Sequence, residues 1–254
     1  MPWALIGFFF ITAMLYAAVG FGGGSTYSAL LVLSGTDYRI LPTLALSCNI
    51  LVVTGGLWRF RNTGYLDIRR MIPFLVTSIP AAWFGGRLLV SETLFVGLLG
   101  FTLLLSGARL MIQKLPAEPL HAKPNDPIIF APFMGGVIGL LAGIVGIGGG
   151  IFLAPILYFL KWGSARQIAA ACSLFIFTNS VAGLSGQLTK LGSTEFIVPL
   201  LTYWPLLPAV FIGGQIGSYL ASKGLHPIWI KRLTSVLILY VAIRLLYRWT
   251  AIVL

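Results

Sequence analysis

Gly20, Phe21, Gly22, Gly23 and Gly24 constrain this chain more than any other stretch: four glycines in five positions, set inside an apolar run. From Met1 to Thr36 there is no charged residue. As one straight helix at ~1.5 Å per residue that run would reach roughly 50 Å, well beyond the ~30 Å hydrocarbon core of a bilayer. It has to break or fold back. Glycine carries no Cβ penalty at positive φ and is a poor helix former, so the break belongs at Gly20 to Gly24. The pattern returns 126 residues later as Gly146, Ile147, Gly148, Gly149 and Gly150, inside an uncharged run from Pro127 to Leu160. Each break is followed by a short apolar piece, Ser25 to Ser34 and Ile151 to Leu160, sufficient only for a half-span or a tilted span.

With 58% hydrophobic and only 9% charged residues, the chain reads as an all-α polytopic membrane protein. Its first segment lacks the basic start and the small-residue cleavage pattern of a signal peptide and is read as a span. The formal charge of +11 sits in short loops between apolar spans, where Lys and Arg set topology, so no nucleic-acid partner is expected. Cys48 and Cys172 lie within apolar runs, which argues against a disulfide framework, and neither has metal-ligand spacing. No metal, cofactor or catalytic group is expected: nothing resembles a nucleophile–base pair or a phosphate loop. Further spans are expected at Leu41 to Trp58, Ile68 to Leu89, Thr93 to Met111, Gln167 to Thr189, Phe196 to Ala221 and Pro227 to Tyr247. The span Ile68 to Leu89 is interrupted at Pro73, Pro80 and the Gly85-Gly86 pair.

The glycine repeat extends along the chain. Ser47 matches Ser173 at the same offset; with two residues added, Gly64 matches Gly192, Asp67 matches Glu195, Pro80 matches Pro208, and Gly85-Gly86 match Gly213-Gly214. These matches divide the chain into a first membrane repeat at 1–112, a linker at 113–127 and a second membrane repeat at 128–254. Whether each break is a re-entrant hairpin or a full crossing stays open, giving 8–10 crossings in total. With about five crossings per repeat, an odd number, the two repeats lie inverted in the membrane. That arrangement puts Arg59, Arg61, Arg69, Arg70, Arg109, Lys114, Lys123, Lys161, Arg166, Lys223, Lys231 and Arg232 on one side, and leaves Arg39, Arg87, Lys190, Arg244 and Arg248 on the other. The positive-inside rule then places both termini outside the cytoplasm of a plasma membrane.

A broken helix frees N–H groups at the start of its second piece, and the peptide dipoles add partial positive charge there. In inverted-repeat transporters such half-helix N-termini point at anions near the midplane. The candidate donors are therefore Gly22, Gly23, Gly24, Ser25 and Thr26 in the first copy and Gly148, Gly149 and Gly150 in the second. Within the following spans, Ser47, Asn49 and Thr54, and Ser173, Thr178, Asn179 and Ser180 in the repeat mate, offer hydroxyl and amide donors that carry no fixed charge to bury, Asn49 and Asn179 foremost. Arg87, Gln187 and Gln215, near span ends, are candidates for gating or attracting an anion. The bland alternatives are close helix packing for the glycines, interhelical hydrogen bonding for the hydroxyls and amides, and snorkelling for Arg87. All six acids and both histidines fall in loops or at span ends, so no proton-relay carboxylate is expected in mid-membrane. Export of an anion would instead run down the inside-negative potential, ~2.3 kcal/mol per charge per 100 mV, or use protons carried on the substrate.

With GFGGGSTYSALLVL and GIGGGIFLAPILYFL at equivalent places, each followed by an Ala-Leu-Ser-Cys or Ala-Cys-Ser-Leu segment and then a Gly-Gly pair, the chain resembles the TauE/SafE family of membrane proteins. The resemblance implies a permease exporting sulfite, sulfoacetate or a related sulfonate, with the glycine motifs at Gly20, Gly22, Gly23, Gly24 and at Gly146, Gly148, Gly149, Gly150. The small polar position after each break is Ser25 in the first copy but Ile151 in the second. The residues themselves reach as far as a small-anion transporter; sulfur enters only with the resemblance. The partners expected are a small anionic substrate, the lipid bilayer and a second copy in a homodimer. An alternating-access carrier is preferred because polar lining is scarce; a passive anion channel, or a permease for a different small carboxylate or anion, is the alternative.

Overall fold

The computed structural model describes residues 3–18, 20–112, 130–190, 200–221 and 228–253, and these are helical with no strand among them. The expected linker 113–127, together with Gly192 and Glu195, lies outside the described residues. Ten helices of ten or more residues follow in order: α1 Trp3–Ala17, α2 Gly24–Leu33, α3 Leu41–Asn62, α4 Ile68–Arg87, α5 Glu92–Ile112, α6 Ala131–Val145, α7 Gly150–Phe159, α8 Ala165–Lys190, α9 Leu206–Ala221 and α10 Ile228–Val253. Three are long and apolar enough by themselves to cross a membrane: α3, α8 and Glu92–Arg109 within α5. The outside of the bundle is apolar, with Val76, Phe133 and Tyr240 more than half exposed, as befits a surface facing lipid tails.

Two expected boundaries move. α4 runs unbroken through Pro73 and Pro80. Neighbouring helices close enough to cover the freed backbone let proline persist inside a membrane helix, and the Thr77 hydroxyl donates across to the Pro132 carbonyl of α6 at 2.6 Å. The expected span Phe196 to Ala221 is broken by a turn over 203–205, which separates helical residues 200–202 from α9 at Leu206; 196–199 lie outside the described residues. Pro205 suits a helix start, having no N–H to leave unpaired and a preset φ.

Small residues set the packing. On α6, Gly135, Gly139 and Gly143 recur every fourth residue, and a Cβ on any of them would collide with the carbonyl oxygens of Phe74, Ser78 and Ala82 on α4, themselves four apart. The two backbones therefore touch, and they run in the same direction. Gly213 and Gly217 of α9 meet the carbonyls of Phe10 and Met14 on α1 in the same manner. Such spacing places glycines on one helix face and lets helices pack without side chains between them. We expect Gly143→Ala and Gly217→Ala each to cost about 2–3 kcal/mol by overpacking. Thermal unfolding in detergent checks this against Gly7→Ala, where a Cβ meets nothing within 4 Å.

Opposite ends of the bundle are marked by different charges. One end gathers Arg39, Glu92 and Arg248 around a cavity, with Lys190 Nζ donating to the Leu88 carbonyl. At the other, Arg59 stacks over Tyr219, Arg70 over Trp162, and Arg166 donates to the Tyr65 hydroxyl. α1 runs parallel to α9, from the Arg39 end toward the Arg59 end, and α2 returns to the Arg39 end at Val32 and Gly35. α6 runs parallel to α4, from the Arg59 end toward the Arg39 end, and α7 returns to the Arg59 end at Trp162. Each glycine break thus reverses the chain. At 15 and 10 residues the limbs of either hairpin are shorter than a full crossing.

Candidate functional site

The hairpin tips are built by glycine geometry. Gly20 and Gly23 in the first, and Gly146, Gly148 and Gly149 in the second, take φ between 79° and 87°, where a side chain would be strained. α2 and α7 then start on Gly23 and Gly149, neither with a side-chain cap. Thr26 and Tyr27 donate to the Gly23 carbonyl, and Phe152 and Leu153 to that of Gly149. The N–H groups of Gly24 and Ser25, and of Gly150 and Ile151, have no acceptor within their own helices, and the dipoles of both helices point positive there.

These two N-termini meet. A Cβ on Gly24 would stand 2.7 Å from the Ile147 carbonyl oxygen and 2.5 Å from Asn49 Nδ2. One on Gly22 would stand 2.5 Å from Asn49 Oδ1, and one on Gly148 would lie 2.9 Å from Asn49 Nδ2 and 3.0 Å from Ser180 Oγ. A Cβ on Gly22, Gly148 or Gly150 would also crowd the Ile176 side chain. Asn49 lies about 12 Å into α3, and Ile176 and Ser180 lie mid-way along α8, so the meeting point is deep in the bundle.

Asn49 is fully buried, and neither its amide nitrogen nor its oxygen has a hydrogen-bond partner. Ser180 Oγ is likewise buried and unpartnered. Each such group costs about 1–3 kcal/mol relative to a satisfied or apolar one. The arrangement offers a ligand neutral donors and two helix dipoles and no fixed charge, which suits a small anion that must also leave.

The other expected residues divide clearly. Ser25 and Thr26 are buried at the start of α2, and the Thr26 hydroxyl is bonded to Tyr16 at 2.8 Å. Ser173 clasps the first hairpin, donating to the Gly20 carbonyl at 2.8 Å, so it positions the break. Ser47 donates to Thr43 in its own helix. Asn179 Nδ2 donates to Phe175, while its oxygen is buried and unpartnered. Gln187 ties α8 to the Gly143 carbonyl of α6 at 2.9 Å, and Gln215 packs on Gly55 of α3. Arg87 is exposed, its guanidinium 5.4 Å from the Trp83 ring centre. The sequence reading left out Ile176 and Tyr16. Ile176 carried a signal: Ser173, Ile176 and Ser180 fall at i, i+3 and i+7, one face of α8.

The chain is similar to known proteins along nearly all of its length. A family profile described as Sulfite exporter TauE/SafE matches residues 5–245. A probable membrane transporter protein of Sinorhizobium fredii is 34% identical over 241 residues, covering 94% of this chain and 96% of the relative. One from Methanocaldococcus jannaschii is 24% identical, covering 85% and 86%, and one from Haemophilus influenzae is 27% identical, covering 70% and 69%. No solved structure matches. The chain is a multi-pass membrane protein and belongs to the TauE/SafE family.

Proposed function

We propose that this protein is a carrier that exports a small sulfur oxyanion, such as sulfite or an organosulfonate, held between the two glycine-broken hairpins. One observation carries the reading: Asn49, buried and unpartnered, lies between two uncapped helix N-termini. An anion there would receive the N–H groups of Gly24, Ser25, Gly150 and Ile151 and the Asn49 amide, replacing part of its hydration shell. Sulfur as the element rests on the family's description alone.

Alternating access follows from an inverted-repeat reading. Its support is reciprocal packing: α1 lies on α9 as α4 lies on α6, and the two hairpins open toward opposite ends. Swinging one hairpin from Asn49 would open the site to one end while the other stays shut. The Arg59 end carries the larger share of the bases and is the cytoplasmic side in this reading, with both termini outside. Proteoliposomes loaded with sulfite, sulfoacetate, chloride or acetate, at two clamped potentials, test it. Saturable sulfite or sulfonate flux that rises with a potential driving anions outward is expected; high non-saturating flux of every anion would indicate a channel instead.

A further inference from the structure

We propose a second, peripheral anion site at the Arg39 end, where Lys190 and Arg39 collect a small oxyanion over the tip of the second hairpin. The proposal rests on the transport reading above and adds to it the place where the anion pauses outside the central site. A cavity of about 220 Å³ lies here, lined by Arg39, Lys190, Tyr38, Pro42, Phe95 and Ile144 among others. That is about seven water volumes, room for a small oxyanion with part of its hydration shell. Its floor is the hairpin tip itself. Ile144 lies in the last turn of α6, and a Cβ on Gly146 would stand 2.6 Å from the Cα of Pro42.

Charge distinguishes this cavity from its neighbour. Among the described residues lining it there are two cations and no carboxylate. The adjoining cavity, about 390 Å³, shares Tyr38, Arg39 and Phe95 but also holds Asp37 and Glu92, and its Arg248 is paired with Glu92 at 2.8 Å. Those two carboxylates repel an anion there. In the smaller cavity Lys190 is half-buried and, among the described residues, its ammonium donates to the Leu88 carbonyl alone, at 3.4 Å. An ammonium carries three N–H donors, so this one bond does not exhaust it. A lysine is a point charge with little geometric demand, and low-dielectric walls concentrate its field. The site therefore captures oxyanions without choosing among them; choice is left to the central site.

The two sites make separable contributions to kinetics. Losing a peripheral charge weakens capture from one side and leaves the central step alone, so KM changes on the Arg39 side only. Proteoliposomes with the carrier in one orientation, checked by protease access to a C-terminal tag, give KM for sulfite from each side. We expect Lys190→Glu to raise KM from the Arg39 side about tenfold, with the opposite KM and kcat within about twofold, and Lys190→Arg to restore the wild-type value. Arg39→Gln is expected to act in the same direction, and added salt to narrow the difference. Wild-type flux with the same KM in Lys190→Glu overturns the peripheral site and leaves the transport reading intact. No flux of any anion through the folded wild-type protein overturns both.

Discussion

Asn49→Leu is expected to cut sulfite flux by about 10- to 100-fold while raising the unfolding temperature, a combination that separates a ligand-binding group from a packing group. The flux loss follows from removing an amide donor worth about 1.5–3 kcal/mol to a charged ligand. The stabilisation follows from burial. Two unpartnered polar atoms at about 1–3 kcal/mol each are replaced by methyl groups of the same branched shape, beside the apolar Ile176 side chain. Each kcal/mol gained should appear as about 2–4 °C in a chain of this size. Reduced stability with unchanged flux would show that Asn49 serves the fold.

Gly24→Ala is the second large effect. The new methyl would meet the Asn49 amide and the Ile147 carbonyl at once, and Ile147 is backbone of the opposing hairpin, which cannot rotate away. The hairpins must separate by several tenths of an ångström, drawing both N-termini off a shared ligand. We expect flux to fall by roughly 100-fold, corresponding to ~2.8 kcal/mol, with an unfolding cost of about 1–3 kcal/mol. Gly35→Ala provides the contrast: its φ is 74° but nothing lies within 4 Å, so it should cost about 1 kcal/mol and leave flux unchanged. Comparable flux in both variants would remove the breaks from the mechanism.

The glycine breaks and most spans were legible because lipid leaves the backbone few choices, while hairpin against full crossing stayed open until the helix directions were seen. A charge-free run too long for one helix has to break at its glycines, and the segments α2, α3, α5 and α8 fall within a few residues of where charge and glycine bound them. Asn49 stood out for a related reason, as an amide set in an apolar run. Pairing between helices was not legible. Gly135, Gly139 and Gly143 announce a close face but not that α4 fills it, and Gly85-Gly86, read as an interruption, are instead helical glycines against α6 and α8. Ser173 and Ser47 occupy matching positions in sequence, yet only Ser173 reaches a hairpin, because Gly20 comes within its range while Gly146 rests on Pro42. The peripheral cations escaped notice since Arg39 and Lys190 are 151 residues apart, one in the turn before α3 and the other at the end of α8.

The central claim is that an anion is held by the backbone of both breaks at once. Labelling glycine with ¹⁵N and titrating the reconstituted protein with sulfite reads that backbone directly. The account predicts saturable shifts of the Gly24 and Gly150 amide resonances with a common midpoint, absent for Gly7 and Gly35 and diminished in Asn49→Leu. Sulfite flux with both amide resonances unmoved at saturating substrate would contradict it.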